Sequence, residues 1–240
     1  MFLNAAMSAA LDRIAERAAD ARRAFTPGAL PLHDDVATAS PASDFTLDPL
    51  VVSAPAGAYF ITRDDRNEVR YTRDGAFTLS DGRLLDQRGN GVCGFQRGSD
   101  APAPLHADPI DAALERVSDA RIEPDGSLSY SRLTIEPRTG ATEAQRIVVG
   151  RIALARFPPG SKIESRDAVE AAAPRGVPAH VGMAKDGAFG AIAPMQRDRS
   201  RIDIDRSLIR LKDAYLAFDA LRAAETAKAH LGKTALDLVK

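Results

Sequence analysis

Tyr71-Thr72-Arg73-Asp74-Gly75-Ala76-Phe77-Thr78-Leu79-Ser80-Asp81-Gly82-Arg83-Leu84-Leu85 decides the fold. Short runs of aromatic, β-branched and aliphatic residues are broken here by Asp-Gly at 74–75 and again at 81–82. Asp-Gly suits a tight turn, because glycine accepts a positive φ and aspartate tolerates one. The spacing predicts strands over Glu68–Thr72, Ala76–Leu79 and Leu84–Asp86. Outward from this stretch the same punctuation continues, with Asp-Gly at 125–126 and 186–187. Further short strands are predicted at Leu50–Ser53, Ala58–Thr62, Gly91–Phe95, Arg121–Ile122, Leu128–Tyr130 and Ile147–Phe157. Pro102–Ala113 reads as a loop, with a helical turn at Ile110–Glu115. No strand–helix alternation appears, which disfavours a doubly wound α/β fold.

Both flanks of this β-rich middle are helical. Leu3, Ala6, Met7, Ala10, Leu11, Ile14 and Ala18 recur at steps of three and four, so they share one stripe of a helix. Thr26-Pro27-Gly28 stops it, since proline disfavours helical dihedrals in the residue before it. At the other end, Leu208, Leu211, Tyr215 and Phe218 keep a helical spacing that Leu221, Leu231 and Leu238 continue after a shift of register. A helix of that extent would be about 50 Å long, which points to coiled coil or assembly rather than to a small domain. The expected class is α+β. The N- and C-terminal helices pair as a coiled-coil-like stem, and a central β-rich domain is inserted between them. The expected boundaries are 1–28 for the first stem helix, 29–44 for a proline-containing linker, 45–200 for the β-rich domain and 201–240 for the second stem helix.

Composition narrows the function. An apolar fraction of 45 % and a charged fraction of 27 % belong to a folded chain rather than a disordered one. Lys plus Arg is 32 against 33 for Asp plus Glu, so no basic footprint for nucleic acid exists. Trp is absent and aromatics make up 5 %, which poorly supplies stacking surfaces. No apolar run reaches the ~20 residues a membrane helix needs. Met1–Ala10 lacks a basic start, which predicts export, if any, without a cleaved signal.

Several stretches resemble the flagellar rod, hook and hook-basal-body proteins. Leu3-Asn4-Ala5-Ala6-Met7-Ser8 and the later Thr26-Pro27-Gly28 resemble that family's first helix and its end. Tyr71-Thr72-Arg73-Asp74-Gly75-Ala76-Phe77 is similar to its Tyr-Thr-Arg-x-Gly-x-Phe pattern. Asp48-Pro49-Leu50, Ala58-Tyr59-Phe60, Gly91-Val92-Cys93-Gly94 and Val149–Phe157 follow in the family's order. Ser200-Arg201-Ile202-Asp203 and Ala217-Phe218-Asp219 sit where its C-terminal helix has Ser-Asn-Val-Asp and Ala-Tyr-Glu. The sequence departs from the family at Ala18–Arg23, where an Asn-rich end is usual, at Tyr215-Leu216, where Gln-Arg is usual, and at Ala29, where an aromatic often follows. The resemblance implies a structural subunit of the periplasm-spanning rod of the basal body, with the proximal type favoured, exported by the flagellar type III route. Its partners would be other copies of itself and other axial proteins. The assembly residues it singles out are Leu3, Met7, Leu11, Ile14, Leu208, Leu211, Tyr215, Phe218, Leu221, Leu231 and Leu238.

The residues themselves offer no catalytic set, so no enzymatic activity, small-molecule substrate, cofactor, metal or membrane insertion is expected. His33, His106, His180 and His230 are scattered without zinc spacing. Cys93 lies in an apolar strand as a packed small residue. Arg197–Arg206, interleaved with Asp198, Asp203 and Asp205, reads as a solvated mixed-charge face. Two rival functions stay open at this point. One is a monomeric binding module or assembly chaperone that docks a partner helix, and the other is a β-rich hydrolase.

Overall fold

A computed structural model describes residues 2–29, 42–109, 115–136, 138–139, 141–161, 163–165, 169–173, 176–200 and 202–237. The chain forms two compact units. Met1–Phe25 and Ile202–Lys240 make one, and Thr26–Arg201 makes the other.

The larger unit is antiparallel β. Its organising strand is Thr142–Arg156, 15 residues long. The first part pairs with Ser127–Ile135, with Tyr130 opposite Ile147. The middle pairs with Gly91–Gln96, with Ile152 opposite Gly94. The last part has a partner on each side, with Leu154 opposite both Phe60 of Ala58–Arg63 and Gly182 of His180–Met183. Side chains alternate between the two faces of a strand, and here both faces are covered. Phe60, Ile152 and Leu154 join Phe77, Leu84, Leu105, Leu128 and Ile192 in the main core. Their neighbours Ile61, Ala153 and Ala155 pack with Cys93 on the opposite face.

The decisive stretch folds as its turns require, with strands at Val69–Thr72, Thr78–Ser80 and Arg83–Leu85. Asp81 and Gly82 take φ of 49° and 74°, the paired left-handed values of a hairpin turn. Gly75 serves a different purpose. A Cβ there would overlap the Val52 carbonyl oxygen, so this glycine lets two backbones cross.

Some expectations change. Glu115–Ile122 is an eight-residue strand, so Glu115 belongs to no helical turn. It pairs with Ser127–Ile135, and that long-range pairing decides a segment whose own sequence is polar. Most of the expected linker 29–44 falls on residues 30–41, outside the described residues. Its end enters the strand Ser43–Phe45, which pairs with Gln196–Asp198.

The smaller unit contains two helices, α1 (Phe2–Arg23) and α2 (Ile204–Asp237). Asp203 caps α2, its Oδ1 accepting the Arg206 N–H at 3.1 Å. The expected α+β class with a coiled-coil-like stem is not what forms. Strand accounts for 38 % of the chain and helix for 25 %, so the protein is mainly β with a helix at each end. The two helices touch each other, but α2 carries no sustained apolar seam of the coiled-coil kind. Its buried and half-buried side chains are Ile204, Ser207, Arg210, Leu211, Ala214, Phe218, Leu221 and Glu225. Serine, arginine, alanine and glutamate interrupt what a coiled coil would fill with aliphatic knobs.

Candidate functional site

Two features stand out, one in each unit. In the helical unit, the expected assembly residues divide. Ile14 is buried, while Met7, Leu211, Phe218 and Leu221 are half-buried. Leu11, Leu208 and Tyr215 are about half exposed, and Leu231 is 71 % exposed. The side chain of Leu3 and all of Leu238 lie outside the described residues. Ile209 and Leu216, which periodicity did not single out, are also exposed, at 61 % and 57 %.

Length explains the pattern. α1 has 22 residues and α2 has 34. The half-buried positions of α2 end at Glu225, and every described side chain from Thr226 to Thr234 is exposed. The excess of α2 over α1 corresponds to about 18 Å of helix. Three unsupported turns are marginal in water, where helices draw most of their stability from packing. This end of α2 is therefore an open face built from Ala223, Thr226, Ala227, His230 and Leu231.

In the β unit, the Tyr71–Phe77 stretch builds a buried polar clamp. The Arg73 side chain is fully buried. Its Nε donates to Asp198 Oδ2 at 2.7 Å, and Nη2 reaches the same oxygen at 2.5 Å. Nη2 also donates to the Ala54 carbonyl at 2.9 Å. Nη1 donates to the carbonyls of Pro55, at 3.2 Å, and Ala58. The guanidinium lies 5.9 Å from the Tyr59 ring centre. Asp198 further accepts from the Ser53 hydroxyl. Asp198 is thus buried at 2 % exposure, a correction to the solvated face expected for Arg197–Arg206. Thr26-Pro27-Gly28 docks on the same motif. The Gly28 N–H donates to the Asp198 carbonyl at 3.1 Å. Gly28 has φ +69°, and a Cβ there would come within 2.6 Å of the Asp74 nitrogen.

Beside the clamp lies a cleft of about 280 Å³, lined by Thr26, Pro27, Thr72, Asp74, Asp86, Gln87, Arg88, Val169, Glu170 and Arg197. Its carboxylates are engaged. Asp74 receives a two-pronged contact from Arg197 at 3.2 and 3.1 Å. Asn90 Nδ2 bridges Asp86 Oδ2 and Glu170 Oε1 at 3.0 and 2.8 Å. Arg88 lies 3.5 Å from Glu170. Among the described residues no group of three His, Cys, Asp or Glu side chains is placed to hold a metal ion. Burial pushes the Cys93 thiol up to about 11, the opposite of what a nucleophile needs.

Sequence reasoning missed Arg73, Asp198, Asn90 and Glu170. Arg73 could have been found by parity, since Tyr71, Arg73 and Phe77 fall on one side of a period-two pattern. Nothing local marks Asp198, whose partner lies 125 residues away. No protein-family model and no curated protein matches this chain.

Proposed function

We propose that this chain is a structural subunit of the bacterial flagellar basal-body rod that associates with further copies of itself and with other axial proteins through its terminal helices. The observation that carries this reading is the open end of α2, which outruns α1 and presents Leu231 to solvent. Apolar helical surface of this kind gains about 25 cal/mol for each Å² it buries, and a neighbouring copy is the partner the resemblance supplies. A second observation supports it. Thr26-Pro27-Gly28 and Tyr71–Phe77, the two most family-like stretches, are far apart in sequence yet pack together. The cleft between them has its carboxylates already paired, so in this reading it is a docking seam and not a catalytic pocket.

Sedimentation velocity over a range of concentrations tests the proposal. The intact chain should associate, and Leu231→Asp with Leu216→Asp should return it to monomer without loss of sheet signal. A chain that stays monomeric at every concentration while binding one foreign protein would favour the binding-module reading instead.

A further inference from the structure

The loop 86–90 joins the strands Arg83–Leu85 and Gly91–Gln96. It ends on Asn90-Gly91, a pair in which the side-chain amide is unusually open to attack by the next peptide nitrogen, because glycine places no side chain in the way. Asparagine is a thermolabile residue for this reason. In the folded chain three things oppose the attack. The Asn90 amide is held between Asp86 and Glu170 at 3.0 and 2.8 Å. The Asn90 N–H donates to Asp86 Oδ1 at 2.9 Å, and its carbonyl accepts the Asp86 N–H at 2.9 Å. Gly91, which would supply the nucleophile, is buried and paired with Leu85 and with Arg63.

We propose that Asn90 is a deamidation site that this hairpin holds shut and that local opening of 86–90 releases. In the open loop, the Gly91 nitrogen attacks the Asn90 side-chain carbonyl carbon. A C–N bond forms, the peptide proton is lost to water, and ammonia leaves to give a succinimide. Water then opens the ring, giving aspartate or isoaspartate. No electrons are transferred. The change is one-way, because position 90 then carries a carboxylate where Asp86 and Glu170 already stand. Both amide donations disappear and three like charges meet. Glu170 opens the strand Glu170–Ala172, which pairs with Val69–Thr72. Deamidation therefore loosens a sheet edge and one wall of the cleft. This inference concerns the β unit alone and does not depend on the assembly reading.

The test incubates the intact protein at mildly alkaline pH, folded in buffer and unfolded in urea, and follows isoaspartate content and peptide mass at residue 90. Deamidation in the folded protein should be slower by about tenfold or more, because it must wait for local opening. Equal rates would overturn the proposal. The product's effect is tested with Asn90→Asp. This variant should melt below the parent at neutral pH, with the gap closing as acid protonates the cluster or when Glu170→Gln is added. An Asn90→Asp protein that melts like the parent at neutral pH would overturn the one-way step.

Discussion

At the scale of single residues, burying a guanidinium is tolerable only when its donors are used, and the five contacts of Arg73 match its five N–H groups. Removing one partner of such a pair leaves the other charge buried. Arg73→Met should therefore cost about 3–5 kcal/mol in a urea titration. Arg73→Met with Asp198→Leu should recover much of that loss, since a buried ion pair replaced by apolar groups is often near neutral. If the double variant is as unstable as the sum of the two single ones, the clamp is not a coupled pair. An exposed pair behaves differently. Arg199 donates to Asp44 Oδ1 from Nε at 2.8 Å and from Nη2 at 2.5 Å, and this hydrogen bond holds the Asp44 carboxyl below its ordinary value of 3.8. A carboxyl with a lowered folded value contributes stability above its unfolded value and loses it as pH falls through the folded one. Both groups face solvent, so the contribution is small. An NMR titration should find the Asp44 midpoint rising toward 3.8 in Arg199→Ala. An unmoved midpoint would remove Arg199 as the cause.

At the scale of elements, α2 has two parts with different duties. Phe218 and Leu221 are half-buried in the stretch that α1 can match in length, whereas Leu231 lies beyond it. Phe218→Asp should lower helical circular dichroism and the first thermal transition, because the helix pair loses packing. Leu231→Asp should leave both almost unchanged and act only on association. If the two substitutions lower helicity alike, the distal end of α2 is packed within the monomer. The same contrast explains what was legible in the sequence. Both helices were, because their apolar steps of three and four extend over many turns. The hairpin at Asp81-Gly82 was too, because its turn chemistry is local. Glu115–Ile122 was not, because it is polar and is a strand only by pairing with Ser127–Ile135. Nor was the facing side of α2. The apolar steps chosen from sequence run through Leu208 and Tyr215, while the covered stripe lies one position earlier, through Ser207 and Ala214. Small residues permit close helix approach and carry no hydropathy signal. The candidate site suffered most, because the partners of Arg73 and Asn90 are 125 and 80 residues away.

At the scale of the whole molecule, the two units differ in how much of their surface is satisfied from within. The β unit has a main core around Phe60, Leu105, Ile152 and Leu154, and its buried charge is paired. Each large side chain it fully buries contributes about 1.5–3 kcal/mol, so this unit has the means to fold alone. The helical unit has few fully buried large apolar side chains, Ile14 and Ile202 among them, and leaves Leu11, Leu208, Ile209, Tyr215, Leu216 and Leu231 in water. Residues 26–201 expressed alone should keep the sheet spectrum and a cooperative melt, yet sediment as a monomer at concentrations where the intact chain associates. The asymmetry is the kind that a growing assembly uses. A contact between unlike surfaces on successive copies need not close, so it can extend indefinitely, and a self-sufficient β unit can stay folded while the helices change partners. Association that survives removal of both helices would place the contact surface on the β unit and end the helical assembly reading.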